Sequence, residues 1–314
     1  MSSEIFAEWL CRLGHRILRT TSSFWVELGP RIFQAFPYHH IIIPSHDELD
    51  LLLTRYSAIG LRYSAPWNVP YGVASYHVTF TRHKFPLTAL HKKARHDVRR
   101  GMEAARIEPI SFERLGSEGW LLRADTLQRQ GCSHAETCAK WQTLCRSAQG
   151  LQGFEAWGAI VKGQLAASLI AFMSEGCCSI LYQQSRTEYL PLGINNALTF
   201  VFTNEILKRP NHLYIFYGLH SLDAPPSVDQ FKFRMGYSAR PVKQSVVFHP
   251  TLRPLINCAT HAFLRAGLWI QPGNRTLSKA EGMLRFYLQG RLPISQQTLP
   301  PPLARSESFG AVML

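Results

Sequence analysis

The chain has 314 residues, 46% hydrophobic and 18% charged, enough apolar material for one large domain or two small ones and too much for a disordered chain. Lys and Arg total 34 against 21 Asp and Glu, giving +13 with neutral His, so the surface favours anionic partners such as phosphates, nucleic acid or an acidic membrane face. The seven Cys are odd in number and irregular in spacing; they form no paired C-x-x-C metal framework and fit a reducing cytoplasm.

No stretch offers the ~18 or more uninterrupted apolar residues of a spanning helix. The start does not read as a signal peptide, because Glu8, Arg12 and Arg16 interrupt its apolar run. Residues 1–20 read instead as an amphipathic helix, with Phe6, Trp9, Leu10, Leu13 and Ile17 on one face and Arg12, Arg16 and Arg19 off it. Such a helix packs on its own domain or lies on a membrane surface. Residues 21–106 carry strand signals at His39–Pro44, Ile59–Ser64 and Tyr76–Phe80, around a helix at Asp47–Tyr56. They close on a basic helix, Leu90–Arg106, in which Lys92, Lys93, Arg95, Arg99, Arg100 and Arg106 face only Asp97 and Glu103. That face is either merely solvated or a phosphate-binding one, for tRNA, a lipid-linked sugar or a nucleotide sugar.

From residue 107 the pattern becomes regular. Ile107–Phe112 alternates as a strand, and Glu118–Gln130 follows as a helix. Ser133–Glu136 has the capping-box spacing and opens a helix that turns Cys138, Trp141, Cys145 and Ala148 toward a core. Phe154–Val161, Gln164–Met173 and Cys177–Ser185 are strands joined by turns at Gly163 and Gly176, which predicts an antiparallel meander. The Gly193 turn opens an almost wholly apolar helix, Ile194–Leu207, ended by Pro210. A strand at Leu213–Tyr217, a short helix marked by Val228, Phe231 and Met235, and a last strand at Val242–Phe248 complete a domain over 107–250. Two amphipathic helices, Leu252–Trp269 and Leu277–Gly290, extend it, and 293–314 reads as a Pro-rich disordered tail.

The residues that could carry chemistry cluster late in that domain. A helix N-terminus binds anions through unpaired N–H groups and the positive end of its dipole, so Leu192, Gly193, Ile194, Asn195 and Asn196 are the donor-binding candidates. Tyr182, Gln183, Gln184 and Arg186 end the strand that leads there and could orient an acceptor amine, while Arg234 could grip a carboxylate or phosphate. His220 is the nearby side chain with a suitable pKa for a general base. There is no G-x-S-x-G elbow, P-loop, H-E-x-x-H or dinucleotide fingerprint, and no metal is expected.

The order of strand, two helices, three strands, helix, strand, helix and strand resembles the GNAT N-acyltransferase superfamily over roughly half the chain. The basic helix and the segment Phe231–Gly236 (FKFRMG) make it similar to the Fem-type peptidoglycan aminoacyltransferases and the related CelD-like acetyltransferases. The resemblance implies an α+β GNAT-like fold, with 21–106 as a reduced second unit on the acceptor side. It implies an acyl group moved from acyl-CoA (acetyl-CoA) or aminoacyl-tRNA to an amine of a cell-envelope or small-molecule acceptor. It also implies that Lys232 stabilises the oxyanion and that Tyr217 protonates a leaving group. Acetyl-CoA-using members carry Gln/Arg-x-x-Gly-x-Gly/Ala; here Leu190 and Asn195 occupy the first and last of those positions, so the donor stays open. The expected setting is cytoplasmic, with peripheral membrane contact compatible, and a noncatalytic GNAT-fold assembly protein at a membrane surface is the alternative.

Overall fold

A computed structural model describes residues 3–131, 136–210, 213–220 and 226–304. In chain order it has α1 (Ser3–Arg12), β1 (Ile17–Arg19), β2 (Phe24–Gly29), β3 (Ile32–Phe36), α2 (His46–Asp50), β4 (Gly60–Ala65) and β5 (Val73–Phe80). There follow α3 (Lys92–Ala104), β6 (Arg106–Ile110), α4 (Phe112–Arg129), α5 (Cys138–Ala148), β7 (Phe154–Val161), β8 (Gln164–Ser174), β9 (Cys177–Ser185) and α6 (Ile194–Leu207). The chain continues through β10 (Tyr214–Leu219), α7 (Pro226–Arg234), β11 (Ser238–Phe248), α8 (Cys258–Ile270), α9 (Arg275–Gly290) and α10 (Pro301–Ala304). The fold class is α+β, as expected. Two compact units result: residues 1–13, 78–218 and 225–238, and residues 14–77, 219–224 and 239–314.

The first unit is built on the meander. β6, β7, β8 and β9 pair antiparallel in sequence order, and β10 then joins β9 in parallel. Both hairpin loops have two residues, Lys162–Gly163 and Glu175–Gly176, and all four have positive φ. That backbone matches the right-handed strand twist and makes the hairpins tight. α6 is buried along most of its length, and α3 crosses it closely. Ala94, Val98 and Gly101 of α3 are buried, and a methyl group added at Gly101 would stand 2.5 Å from the Gly193 carbonyl oxygen. α1 packs in this unit too. Phe6 lies 5.1 Å from Phe172 between ring centroids and Trp9 lies 5.1 Å from Phe154, so the apolar face read as a membrane candidate is buried in the core.

Several boundaries move for physical reasons. α1 stops at Arg12, Gly14 turns the chain at φ 81°, and Ile17 and Arg19 pass into β1, so Leu13 and Ile17 do not extend the helical face. Phe112 belongs to α4, because the Ser111 hydroxyl accepts the Arg114 N–H as an N-cap. The capping box expected at Ser133–Glu136 falls largely outside the described residues. Thr137 caps α5 instead, and Glu136 pairs with Arg123.

In the second unit β1, β2 and β3 pair antiparallel, β3 runs parallel to β4, and β4 pairs antiparallel with β11. Trp25, Phe33, Leu52 and Leu61 form one core cluster, and α9 places Met283 and Phe286 against Val73 and Val246 in another. The β2–β3 hairpin was not read from the sequence. His39–Pro44 is not a strand: within it the Ile42 N–H reaches the Ser64 carbonyl, but Ile43 is exposed. The helix expected at Asp47–Tyr56 begins at His46 behind a Ser45–Glu48 capping box and widens into a π turn at Leu51–Arg55. The tail read as disordered from 293 is ordered to 304. The Gln297 amide bonds the carbonyls of Gly72 and Leu292 and accepts the Ala74 N–H, and Leu303 is buried.

Candidate active site

β9 and β10 are partners for only three residues, Cys177–Ser179 with Tyr214–Phe216, although β9 runs on to Ser185. On its other side β9 stays bonded to β8 through a bulge. Ile170 faces Tyr182 and Ala171 faces Ile180, which leaves Leu181 without a register partner. A bulge bends its strand and frees backbone groups. The two strands therefore diverge, and a cavity of about 410 Å³ opens in the first unit. Its walls are Ile180–Ser185 of β9, Tyr217 and Gly218 of β10, Thr126 and Arg129 of α4, Asn195 of α6, and Val228, Phe231 and Lys232 of α7.

Lys232 is 9% exposed. Its Nζ lies 2.9 Å from Asp229 Oδ1 one turn back and 5.2 Å from the centroid of the Tyr217 ring. The ammonium is thus held by a carboxylate on one side and an aromatic face on the other. Burial pushes the Tyr217 phenol well above its usual range, and its hydroxyl donates to Gln183 Oε1. Gln183 is fixed in turn by its Nε2, 3.1 Å from Thr199 Oγ1. Tyr217 therefore keeps its proton at neutral pH and can act as a donor, not as a base.

Two amides beside this cluster are half satisfied. Gln184 donates from Nε2 to Ser168 Oγ at 3.1 Å, and Asn195 donates from Nδ2 to Ser185 Oγ at 2.9 Å. Their oxygens, Gln184 Oε1 and Asn195 Oδ1, are buried and have no hydrogen-bond partner among the described residues. Buried acceptors without donors are costly and rare, and both residues belong to the cavity wall. Arg129 closes the end of β9, donating to the Ser185 carbonyl at 3.0 Å and to Thr187 Oγ1 at 2.8 Å, with Asp125 as its counter-ion. Sequence reasoning missed it. α4 and β9 are 56 residues apart here, and no local pattern announces that contact.

Tyr182, Gln183, Gln184, Asn195, Tyr217 and Lys232 thus line one cavity, and the other sequence candidates are not among its walls. Arg123 sits over the Tyr182 ring, and burial raises that phenol as well. Leu192 ends a 3-10 turn, Ile194 is core, and Asn196 Nδ2 lies 3.3 Å from Met235 Sδ. Arg186 pairs with Glu188 at 2.6 Å, and Arg234 is exposed on α7. Lys92, Lys93, Arg99 and Arg100 occupy the exposed face of α3. His220 belongs to the second unit, where its ring stacks on Tyr76 at 4.6 Å and its Nδ1 lies 3.3 Å from Ser75 Oγ. Among the described residues no group of three or more His, Cys, Asp or Glu could hold a metal ion. Burial lifts the Cys177 thiol to about 12, which leaves it inert as a nucleophile.

Gly193 has a packing reason of its own. It sits at φ 76°, and a Cβ there would stand 2.2 Å from the Asp97 carbonyl oxygen of α3. No flexible side chain can yield at that contact. Gly193→Ala is expected to cost about 1–3 kcal/mol through left-handed strain and the displaced helix, read as a fall in the urea midpoint at unchanged m. A variant as stable as the parent would mean that α3 and α6 are not held this closely.

No protein-family model matches the chain, and no curated protein matches it in sequence. Solved structures do match. One is FemX, at TM-score 0.55 and 8% identity, over 80% of this chain and 93% of that one. Another is a conserved protein of unknown function from Bacteroides thetaiotaomicron, at TM-score 0.54 and 11% identity, over 77% and 88%. A third is L-PGS from Bacillus licheniformis, at TM-score 0.50 and 13% identity, over 79% and 88%. At such identities the likeness is one of architecture. The chain shares the α+β fold that FemX carries.

Proposed function

We propose that the protein is an N-acyltransferase whose carrier delivers its acyl group through the opening between β9 and β10. The carrier is an acyl-CoA or an aminoacyl-tRNA, and the acceptor is an amine of a cell-envelope or small molecule. The observation that carries this reading is the divergence of the two strands into a cavity walled by Lys232, Tyr217 and the half-satisfied amides of Gln184 and Asn195. The likeness in fold to FemX supports it.

The chemistry needs no covalent enzyme intermediate. The amine nitrogen attacks the ester or thioester carbonyl, and the negative charge on the resulting oxyanion is offset by Lys232 Nζ and by the backbone freed at Leu181. Gln184 Oε1 and Asn195 Oδ1 accept N–H bonds from the incoming amine or from amides of the carrier. Collapse expels the alkoxide or thiolate, Tyr217 is placed to give it a proton, and the proton shed by the attacking nitrogen restores the phenol. No carboxylate or imidazole lines the cavity among the described residues, so the amine enters in its neutral form and transfer accelerates with pH toward the amine's own pKa. The first turn of α6 is the proposed seat of the carrier's phosphates, with Asn195 reaching the cavity and Lys92, Lys93, Arg99 and Arg100 as the outer basic face.

A thermal-shift screen with free CoA, acyl-CoA thioesters and charged tRNA tests the carrier. A ligand at about 100 times its Kd adds about 2.7 kcal/mol, so the correct class raises Tm and the others do not. No shift with any of them would overturn the reading and favour a noncatalytic assembly protein.

A further inference from the structure

Helix α8 presents a second feature unrelated to the cavity. Its residues Ala259, Ala262, Phe263, Ala266, Trp269 and Ile270 recur at helical spacing, and all are exposed. Phe263 is 78% exposed, Trp269 87% and Ile270 72%, and Leu255 in the preceding turn is exposed as well. The opposite face of the same helix is occupied. A Cβ at Gly267 would meet Leu277 of α9 at 3.5 Å, and His261 Nε2 lies 2.8 Å from Glu281. The stripe is therefore an outward apolar face on a helix already anchored within its unit. Isolated exposed apolar residues need no explanation, whereas a contiguous stripe ending in Trp and Ile does.

The charge balance of this segment specifies what covers the stripe. Between residues 250 and 292 the basic residues are Arg253, Arg265, Arg275, Lys279, Arg285 and Arg291, and the one acidic residue is Glu281. Glu281 is already bonded to His261 and Arg285. Arg253, Arg265, Lys279 and Arg291 are exposed. An apolar stripe with Trp, in a segment whose exposed charges are almost all cationic, is complementary to an anionic bilayer surface: the rings enter the interfacial layer and the surrounding positive charge favours acidic headgroups. A second protein with an apolar patch would not call for this charge bias. No helix among the described residues is long and apolar enough to cross a membrane, so the contact lies on the surface.

We propose that α8 docks the protein onto an anionic lipid surface through Phe263, Trp269 and Ile270. The inference goes beyond the proposed transfer and holds whichever carrier is used. Flotation of the full chain with vesicles tests it, comparing pure phosphatidylcholine with an equal mixture of phosphatidylcholine and phosphatidylglycerol. The parent floats with the mixture, less with phosphatidylcholine alone, and less again at raised salt. The triple change Phe263→Ser, Trp269→Ser and Ile270→Ser weakens partitioning about tenfold or more without lowering Tm, since these side chains touch no core. In parallel, lipids brominated in the acyl chain quench Trp fluorescence in the parent, and Trp269→Phe removes most of that quenching. A parent that fails to float, or a triple variant that floats like the parent, overturns the proposal. So does a dimer in sedimentation equilibrium that the triple change abolishes, since a second copy would then be the occupant.

Discussion

Lys232→Met is expected to lower kcat for acyl transfer about 100–1000-fold, equivalent to about 2.7–4 kcal/mol of transition-state stabilisation, with little change in KM. The size follows from where the ammonium is held. It is 9% exposed, ordered by Asp229 and by the Tyr217 ring, and faces a cavity in which charge develops only during reaction. A preorganised cation needs no reorientation when the oxyanion forms, and burial limits screening of its charge by water. Methionine keeps the length of the stem and removes the charge. Lys232→Arg provides the control, because a cation remains, with partial activity. Single-turnover rates at saturating acceptor isolate the chemical step. A Lys232→Met enzyme with the parental single-turnover rate would remove lysine from the mechanism, and a change confined to KM would make it a binding residue.

Acidification is expected to destabilise the second unit through His77. That side chain is 1% exposed, and its Nε2 lies 2.8 Å from Ser64 Oγ, which in turn accepts the Gln244 amide at 2.6 Å. Burial, followed by the charges of Arg240, His39 and Arg62, lowers its pKa from 6.5 to about 3. The native state therefore holds His77 neutral where the unfolded chain would protonate it. The contribution is fully present above 6.5 and is lost progressively as pH falls toward 3. At about 1.36 kcal/mol for each unit of pKa difference, the full loss is about 5 kcal/mol, and about 3 kcal/mol of it falls between neutrality and about pH 4. Urea midpoints across that interval should drop steeply in the parent and less steeply in His77→Gln, which keeps a polar partner for Ser64 but does not titrate. Identical slopes in the two proteins would assign the acid sensitivity to other groups.

The meander and the apolar helix after it were legible because their signals are local. Two-residue glycine turns fix β7, β8 and β9 to within a residue, and the 3.6 spacing of Ile194, Ala197, Leu198 and Phe202 fixes α6. The β2–β3 hairpin was not, although Gly29-Pro30 marks its turn and Arg31 there takes φ 60°. Conversely, the β-branched run Ile41–Ile43 looks like a strand but lies between Pro37 and Pro44, and Ile42 N–H alone within it finds a strand carbonyl. At the site, Tyr182, Gln184, Asn195, Tyr217 and Lys232 could be named because they flank the recognisable turn and helix. Arg129 could not, because its role depends on where α4 ends in space. Gly193 is the subtler case. It was read as part of an anion-binding helix N-terminus, and its closest neighbour is the Asp97 backbone. A glycine announces that something comes close without saying what.

That close approach ties the basic surface of α3 to the interior. With Gly101 against the Gly193 carbonyl and Gly193 against that of Asp97, the two helices have no slack where they cross. A side chain larger than hydrogen at either glycine would wedge the crossing open and carry the start of α6, Asn195 included, away from its present neighbours.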